Sequence, residues 1–293
     1  MSSVGPVTTL IVAAILFAAM ATLAKHVAAG LPGPEIAFVR FIVGLCVCGA
    51  AAPYLSLKAN NKVGLLMRGV YGGSAVLLYF LAIEHLPVGI ATLLNYTAPV
   101  FSALYAGVVL AESLAWLTVG ALALTTLGVA LVILGSAPPG SLALGAWQIV
   151  GIGSAICSGA AVATIRQVRR TDGAWEIFIA FCAAGALVCL PQTLIYWVTP
   201  SVGQALELVG VGLLSVLAQL LMTYALRWVR AALAGVIAQL TPVASLALGW
   251  FLFDERLGTL ALLGAALTLV GVTLGARYAA LTHARSDVTN PAE

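Results

Sequence analysis

Ten stretches of this chain are apolar over about 20 residues each, the length that carries an α-helix across the hydrocarbon of a bilayer. They cover 7–29, 34–54, 64–84, 88–110, 113–135, 145–166, 175–197, 204–226, 232–252 and 257–280. Nothing else in the sequence restricts the fold as strongly. Runs of this length read as transmembrane helices. The chain is 62% hydrophobic and 8% charged, against about a quarter charged in soluble domains. The fold class expected is an all-α integral membrane protein with ten transmembrane helices. The first run is not preceded by Lys or Arg and exceeds a signal-peptide core of about 7–15 residues, so it reads as a retained helix.

A long-range repeat organises these runs. The stretch 79–112, YFLAIEHLPVGIATLLNYTAPVFSALYAGVVLAE, returns in diverged form at 224–255, YALRWVRAALAGVIAQLTPVASLALGWFLFDE. Pro99 pairs with Pro242, Glu112 with Glu255 and Gly128 with Gly271, all at an offset of 143 residues. The division expected is a first five-helix repeat over 1–137, a second over 138–281 and a polar tail over 282–293. Five is odd, so the second copy starts on the opposite side of the bilayer, and the halves form an inverted repeat. Such repeats are a signature of secondary transporters, with the substrate site near the midplane between the halves.

Orientation follows from the positive charges. The N-terminus, the loops after even-numbered helices and the C-terminus collect ten Lys and Arg residues, Arg68 among them. The opposite side has only Lys25 and Arg256, and Arg40 lies within helix 2. Both termini are therefore expected in the cytoplasm, in a bacterial-type inner membrane. The basic residues are dispersed between apolar runs, so nucleic acid is not an expected partner; the lipid bilayer and a small molecule are.

Few residues carry polar chemistry inside the bilayer. Arg40 sits about 9 Å into helix 2 at 1.5 Å per residue. It reads either as a counter-charge for a substrate carboxylate or phosphate, or as a side chain snorkelling towards Glu35 or Glu84. Helix 4 offers Thr92, Asn95 and Ser102 beside Tyr96. Helix 6 has Ser154 and Ser158, helix 8 has Ser215, Gln219 and Thr223 on one face, and helix 9 has Gln239 and Thr241 beside Pro242. Amides facing lipid would lack partners, so Asn95, Gln219 and Gln239 are expected to face inward, as cavity lining or as interhelical hydrogen bonds. Tyr71 and Ser74 share a face of helix 3, and Tyr79 with Tyr96 either line a site or pack in the core. Pro99 and Pro242 kink helices 4 and 9 and are the expected gating elements. Glu84 and His85 form the best titratable pair for proton coupling, although no carboxylate lies at mid-membrane. The spacing Gly271-x-x-x-Gly275 on helix 10 suits either a homodimer contact through helices 5 and 10 or packing within the chain.

No phosphate-binding Gly-rich loop and no metal-ligand spacing occur, so no cofactor is expected. The five cysteines lie within apolar runs and read as buried thiols. The loops are short and chemically sparse, which argues against an enzyme of lipid-linked precursors. A non-transporting accessory membrane subunit is the other alternative.

The paired pattern of an apolar helix, a short break, a helix with a central proline and a terminal glutamate resembles the drug/metabolite transporter superfamily, in particular its EamA family. The resemblance rests on 68–112 with its second copy, and covers about 7–280. It implies that helices 1–4 and 6–9 surround a central cavity while helices 5 and 10 pack outside it. It also implies alternating access and export of amino acids or related metabolites. Some aromatic amino acid exporters of the superfamily have a tryptophan just before the helix 4 proline; this chain has Ala98 there.

Overall fold

The structure is a computed structural model that describes residues 4–54, 58–98, 100–102, 105, 116–136, 145–168, 171–225, 237–238, 240–271 and 273–274. The expectations placed on Pro99, Glu112, Gln239 and Gly275, and on the side chain of Thr223, lie outside the described residues. The described helices are α1 (Val4–Val27), α2 (Gly33–Ala51), α3 (Lys62–His85), α4 (Val88–Asn95), α5 (Trp116–Ser136), α6 (Ala146–Val168), α7 (Ala174–Tyr196), α8 (Val202–Ala225), α9 (Leu240–Phe253) and α10 (Thr259–Gly271). Six of them, α1, α2, α3, α6, α7 and α8, include segments long and apolar enough to cross a membrane. Shorter apolar stretches are Ala123–Val132 of α5, α9 and α10.

Local sequence chemistry sets the breaks. Asn61 caps α3, its side chain accepting from the Gly64 N–H at 2.9 Å, the role short polar side chains take at helix starts. Leu86 precedes Pro87 and is extended, with φ −114° and ψ 159°, because the proline ring disfavours helical geometry in the residue before it. That two-residue link turns α3 directly into α4. The regular ladder of α4 stops at Asn95, and the turn through Tyr96 is held by i−3 bonds, Thr97 N–H to Leu94 O and Val100 N–H to Thr97 O. The regular run of α4 thus ends at Asn95, with turn geometry at Tyr96 and Thr97 before Ala98 is again helical.

The packing pairs one half with the other. α1 lies against α8 and α9, and α6 lies against α3 and α4; α2 contacts α7 and α8, and α7 contacts α2 and α3; α4 contacts α9. The main core holds Phe41, Phe80, Ile83, Ile90, Leu93 and Leu94. α3 and α7 approach at backbone distance: a Cβ on Gly73 would lie 2.6 Å from Gly185 Cα, and one on Gly69 2.6 Å from Ala180 O. The Gly69-x-x-x-Gly73 spacing is thus used within the chain. α5 and α10 also pack on each other. A Cβ on Gly128 would lie 2.5 Å from Thr268 N, and one on Gly271 2.7 Å from Thr125 N. The Gly271 face is accordingly occupied by α5 of the same chain.

Contacts at helix ends define two faces. On one, the α2–α3 loop meets the α6–α7 loop through Asp172, and the start of α1 meets the end of α8 through Leu10 and Ala225. On the other, the ends of α1 and α3 meet the starts of α2 and α4 around Lys25, Glu84 and Glu255, and Trp147 at the start of α6 stacks on His85 at 3.5 Å. α1 and α3 run from the Asp172 face to the Glu255 face, whereas α6 and α8 run the other way.

Candidate functional site

Polar side chains from five helices meet at a cavity of about 110 Å³, lined by α1 (Phe17, Met20), α2 (Arg40), α3 (Ala75, Val76, Tyr79, Phe80), α4 with its terminal turn (Asn95, Tyr96), α6 (Ser158) and α9 (Thr241). At roughly 30 Å³ per water, it has room for a few waters or a small solute fragment. Both halves of the sequence contribute walls.

Each polar wall group is held by a neighbour. The Asn95 amide donates to Ser158 Oγ at 3.3 Å and also to Ser154 Oγ, which in turn donates to Ala75 O at 3.0 Å. α4, α6 and α3 are thereby tied beside the cavity. Tyr79 and Thr92 share a hydroxyl–hydroxyl hydrogen bond of 2.8 Å. Thr241 donates to Ala14 O at 3.2 Å, tying α9 to α1.

Arg40 is 7% exposed, and its Nε donates to Ser215 Oγ on α8. Its Nη1 is buried without a hydrogen-bond partner. The guanidinium lies 5.3 Å from the Phe41 ring centroid and 5.7 Å from that of Phe181. It does not snorkel to either acidic residue. Glu35 instead accepts from Val198 N–H at 3.1 Å, and Glu84 from Gly33 N–H at 2.6 Å.

Of the residues expected from sequence, the cavity brings together Arg40, Tyr79, Asn95, Tyr96 and Ser158. Tyr71, Ser74 and Gln219 are half-buried on α3 and α8 and are not among the lining residues. Pro242 is buried near the start of the described α9. His85 Nε2 stands 3.9 Å from Glu84 Oε1 at the Glu255 face, away from the cavity. Sequence reasoning passed over the apolar walls Phe17, Met20 and Phe80, because an apolar residue in an apolar helix carries no signal of which way it points.

It also passed over two basic residues. Arg68, counted with the cytoplasmic charges, is 7% exposed within the bundle. Lys25 is half-buried and donates to the carbonyls of Ile83 at 2.8 Å and Leu86 at 2.9 Å. It neutralises the carbonyl end of α3, where a cation is favourable. Opposite it, Glu255 accepts the Val88 N–H at 2.9 and 3.0 Å, at the start of α4. Burial pushes the Glu255 carboxyl above its ordinary range, outweighing the Val88 N–H and Lys25, which pull it down. A Cβ on Gly249 would strike this carboxylate, so the glycine makes room for the latch. On the other face, the Thr171 hydroxyl, with the N–H groups of Asn60 and Asn61, holds the Asp172 carboxyl below its ordinary range.

Comparison with known proteins agrees with this architecture. The EamA-like transporter family matches the chain twice, over residues 5–134 and 145–276. The pseudopaline exporter CntI of Pseudomonas aeruginosa (strain UCBPP-PA14) is 27% identical over 263 residues, covering 89% of this chain and 92% of the exporter. An uncharacterized transporter of Archaeoglobus fulgidus is 26% identical over 270 residues, covering 92% and 95%. One crystal structure superposes with a TM-score of 0.62 at 21% identity, over 96% of this chain and 99% of that one, a likeness of fold. The chain belongs to the EamA-like transporter family, as a multi-pass membrane protein that transports and is not an enzyme.

Proposed function

We propose that this membrane transporter of small molecules is a secondary transporter that exports amino acids or related metabolites carrying an anionic group across the inner membrane. The observation that carries the reading is Arg40, a guanidinium with an unfilled donor in the wall of a cavity shared by both halves. A buried cation without a counter-ion is costly, and a substrate carboxylate offsets that cost. Tyr79, Asn95, Tyr96 and Ser158 would hold the rest of the solute, and Tyr71, Ser74, Gln219, Thr223 and Gln239 extend the path. Export is inferred from the name of the exporter relative; import is the alternative direction.

The mechanism we infer is alternating access between two inverted five-helix halves, ten spans in all. The two family matches and the opposite runs of α1 and α6 support it. So does the α5–α10 contact. Gly128 meets Thr268 and Gly271 meets Thr125, residues that exchange under the 143-residue offset. A reciprocal contact between antiparallel mates is what a two-fold axis across the helices, in the membrane plane, would produce. Pro99 and Pro242 would gate, and Glu84 with His85 would supply proton coupling.

The test is counterflow in proteoliposomes with labelled amino acids and small organic acids, with and without a pH gradient, for the wild type and Arg40→Ala. Saturable exchange that the substitution abolishes is expected. Exchange of an anionic or zwitterionic solute that survives Arg40→Ala overturns the role of Arg40. The absence of any exchange by well-folded protein overturns the transporter reading in favour of an accessory subunit.

A further inference from the structure

Arg68 lies on α3 with its guanidinium 4.4 Å from the Phe181 ring centroid. Its Nε and Nη1 are buried and have no hydrogen-bond partner. No ion pair among the described residues reaches it or Arg40; those present join His26 to Glu207, His85 to Glu84 and Arg256 to Asp254. The chain also keeps space for it. A Cβ on Gly72, one turn along α3, would collide with Arg68 Nη1 and lie 2.8 Å from the Phe181 ring. Two buried cations therefore flank one aromatic ring, Arg40 at 5.7 Å and Arg68 at 4.4 Å from its centroid. The ring offers a favourable face to each, but it does not replace the hydration a guanidinium loses on burial. Like charges this close add repulsion. Both costs are relieved together by a ligand that carries two anions.

Building on the assignment of Arg40 to the site, we propose that Arg68 is a second anion-binding position, and that the solute carries two carboxylates spaced to reach around the Phe181 ring, one for each arginine. Arg40 receives the first carboxylate from the cavity. Movement of the Phe181 side chain opens the route by which the second reaches Arg68. The class is thus a flexible dicarboxylate or a dicarboxylate amino compound, not a simple monocarboxylate. A guanidinium meets a carboxylate with directed, charge-assisted bonds, so the second anion adds affinity wherever the spacer permits contact.

The experiment is calorimetric binding of butyrate, malonate and adipate to the purified protein in lipid nanodiscs, with thermal unfolding of the same samples. Adipate is expected to bind at least about tenfold more tightly than butyrate, the value of one charge-assisted hydrogen bond at each 1.4 kcal/mol per decade. Malonate, too short to pass the ring, should behave like butyrate. Arg68→Gln should remove the preference for adipate while leaving butyrate binding in place, Arg68→Lys should keep part of it, and Arg40→Gln should weaken all three. Without ligand, Arg68→Met should unfold at the same temperature as the wild type or higher, since it removes a charge that nothing compensates. Equal binding of adipate and butyrate by the wild type, or a preference that survives Arg68→Gln, overturns the proposal. So does an Arg68→Met protein that unfolds earlier, because Arg68 would then be a structural cation. These readouts do not depend on transport: counterflow lost in Arg40→Ala, with no adipate preference, leaves the transporter reading standing and removes only the second site.

Discussion

Under the alternating access proposed above, Glu255→Ala should favour opening of the face that Glu255 ties together. The carboxylate bridges the loop after α9 to the start of α4, with both oxygens on the Val88 N–H at 2.9 and 3.0 Å and the Gly89 N–H also favouring its charged form. Two acceptors on the Val88 donor count as one bond. Its loss leaves an orphan N–H at a helix start, which costs about 1.5 kcal/mol, or about tenfold in the equilibrium between closed and open. The charge itself does not hold the latch. Burial is the largest influence on the Glu255 carboxyl and raises its pKa from the ordinary 4.5, so the closed face favours the neutral form. Glu255→Gln keeps an acceptor without a buried charge and should change the equilibrium by less than about threefold, within half a typical hydrogen bond. The sign with pH follows. A carboxyl whose pKa is raised in the closed state favours closure below its ordinary pKa, and that contribution is lost as pH rises from 4.5 through the shifted value. The assay is the rate at which an impermeant maleimide, added from the Glu255 face, labels Met20→Cys in the cavity of a protein whose native cysteines are replaced by serine. About tenfold faster labelling is expected in Glu255→Ala, near-wild-type labelling in Glu255→Gln, and slower labelling of the Glu255 protein at acid pH after correction for thiolate fraction with the Gln variant. Equal acceleration by Ala and Gln would show that charge, not the hydrogen bond, keeps the face closed and would refute the reasoning.

Other outcomes follow from the same contacts. Gly73→Ala places a carbon 2.6 Å from Gly185 Cα, against an ordinary carbon contact of about 3.5–4.0 Å. α3 and α7 must part by about 1 Å, at an overpacking cost of about 1–3 kcal/mol; an unchanged midpoint of thermal unfolding in detergent would contradict this close approach. Gly128→Ala and Gly271→Ala meet reciprocal threonines at α5 and α10, so their losses in thermal midpoint should match; a large inequality argues against the two-fold relation. Asp172→Asn should loosen the loop at 58–61 from α7, read as faster proteolysis or hydrogen exchange there. Because Thr171 and the Asn60 and Asn61 N–H groups lower the Asp172 pKa from 3.8, its contribution to stability is present above that value and lost as pH falls through the lowered one. A wild-type loop whose protection does not fall in acid would sink this reading.

Much of the fold was legible because its determinants are local or repeated. Apolar length and scarcity of charge require helices in a bilayer, and no tertiary arrangement alters that requirement. The 143-residue offset survives divergence and anticipates the pairing of Gly128 with Gly271 as equivalent contacts. Inward-facing polar residues were legible in part. Arg40, Tyr79, Asn95, Tyr96 and Ser158 share one cavity, since hydrogen-bonding groups in spans seek partners inside the bundle. Tyr71 and Ser74 satisfy the same rule yet stand off that cavity. Burial of a helix face says that a side chain points inward, not at which depth or towards which neighbour.

The sequence by itself determined the solvent of this protein, its helices, its internal repeat and the short list of polar groups from which a site can be made. Only the tertiary structure decided which of them meet. Arg68 reads as one of the cytoplasmic-side charges in one dimension and becomes a buried cation beside Phe181 in three. Lys25 and Glu255, the one counted only as a charge of the side opposite the termini and the other only as a repeat landmark, become caps on α3 and α4. The physical reason is rotational. Hydrophobic length fixes that a helix spans the bilayer, but the rotation of each helix about its own axis is set by packing against its neighbours, and that rotation decides whether a polar group meets a partner, a cavity or lipid.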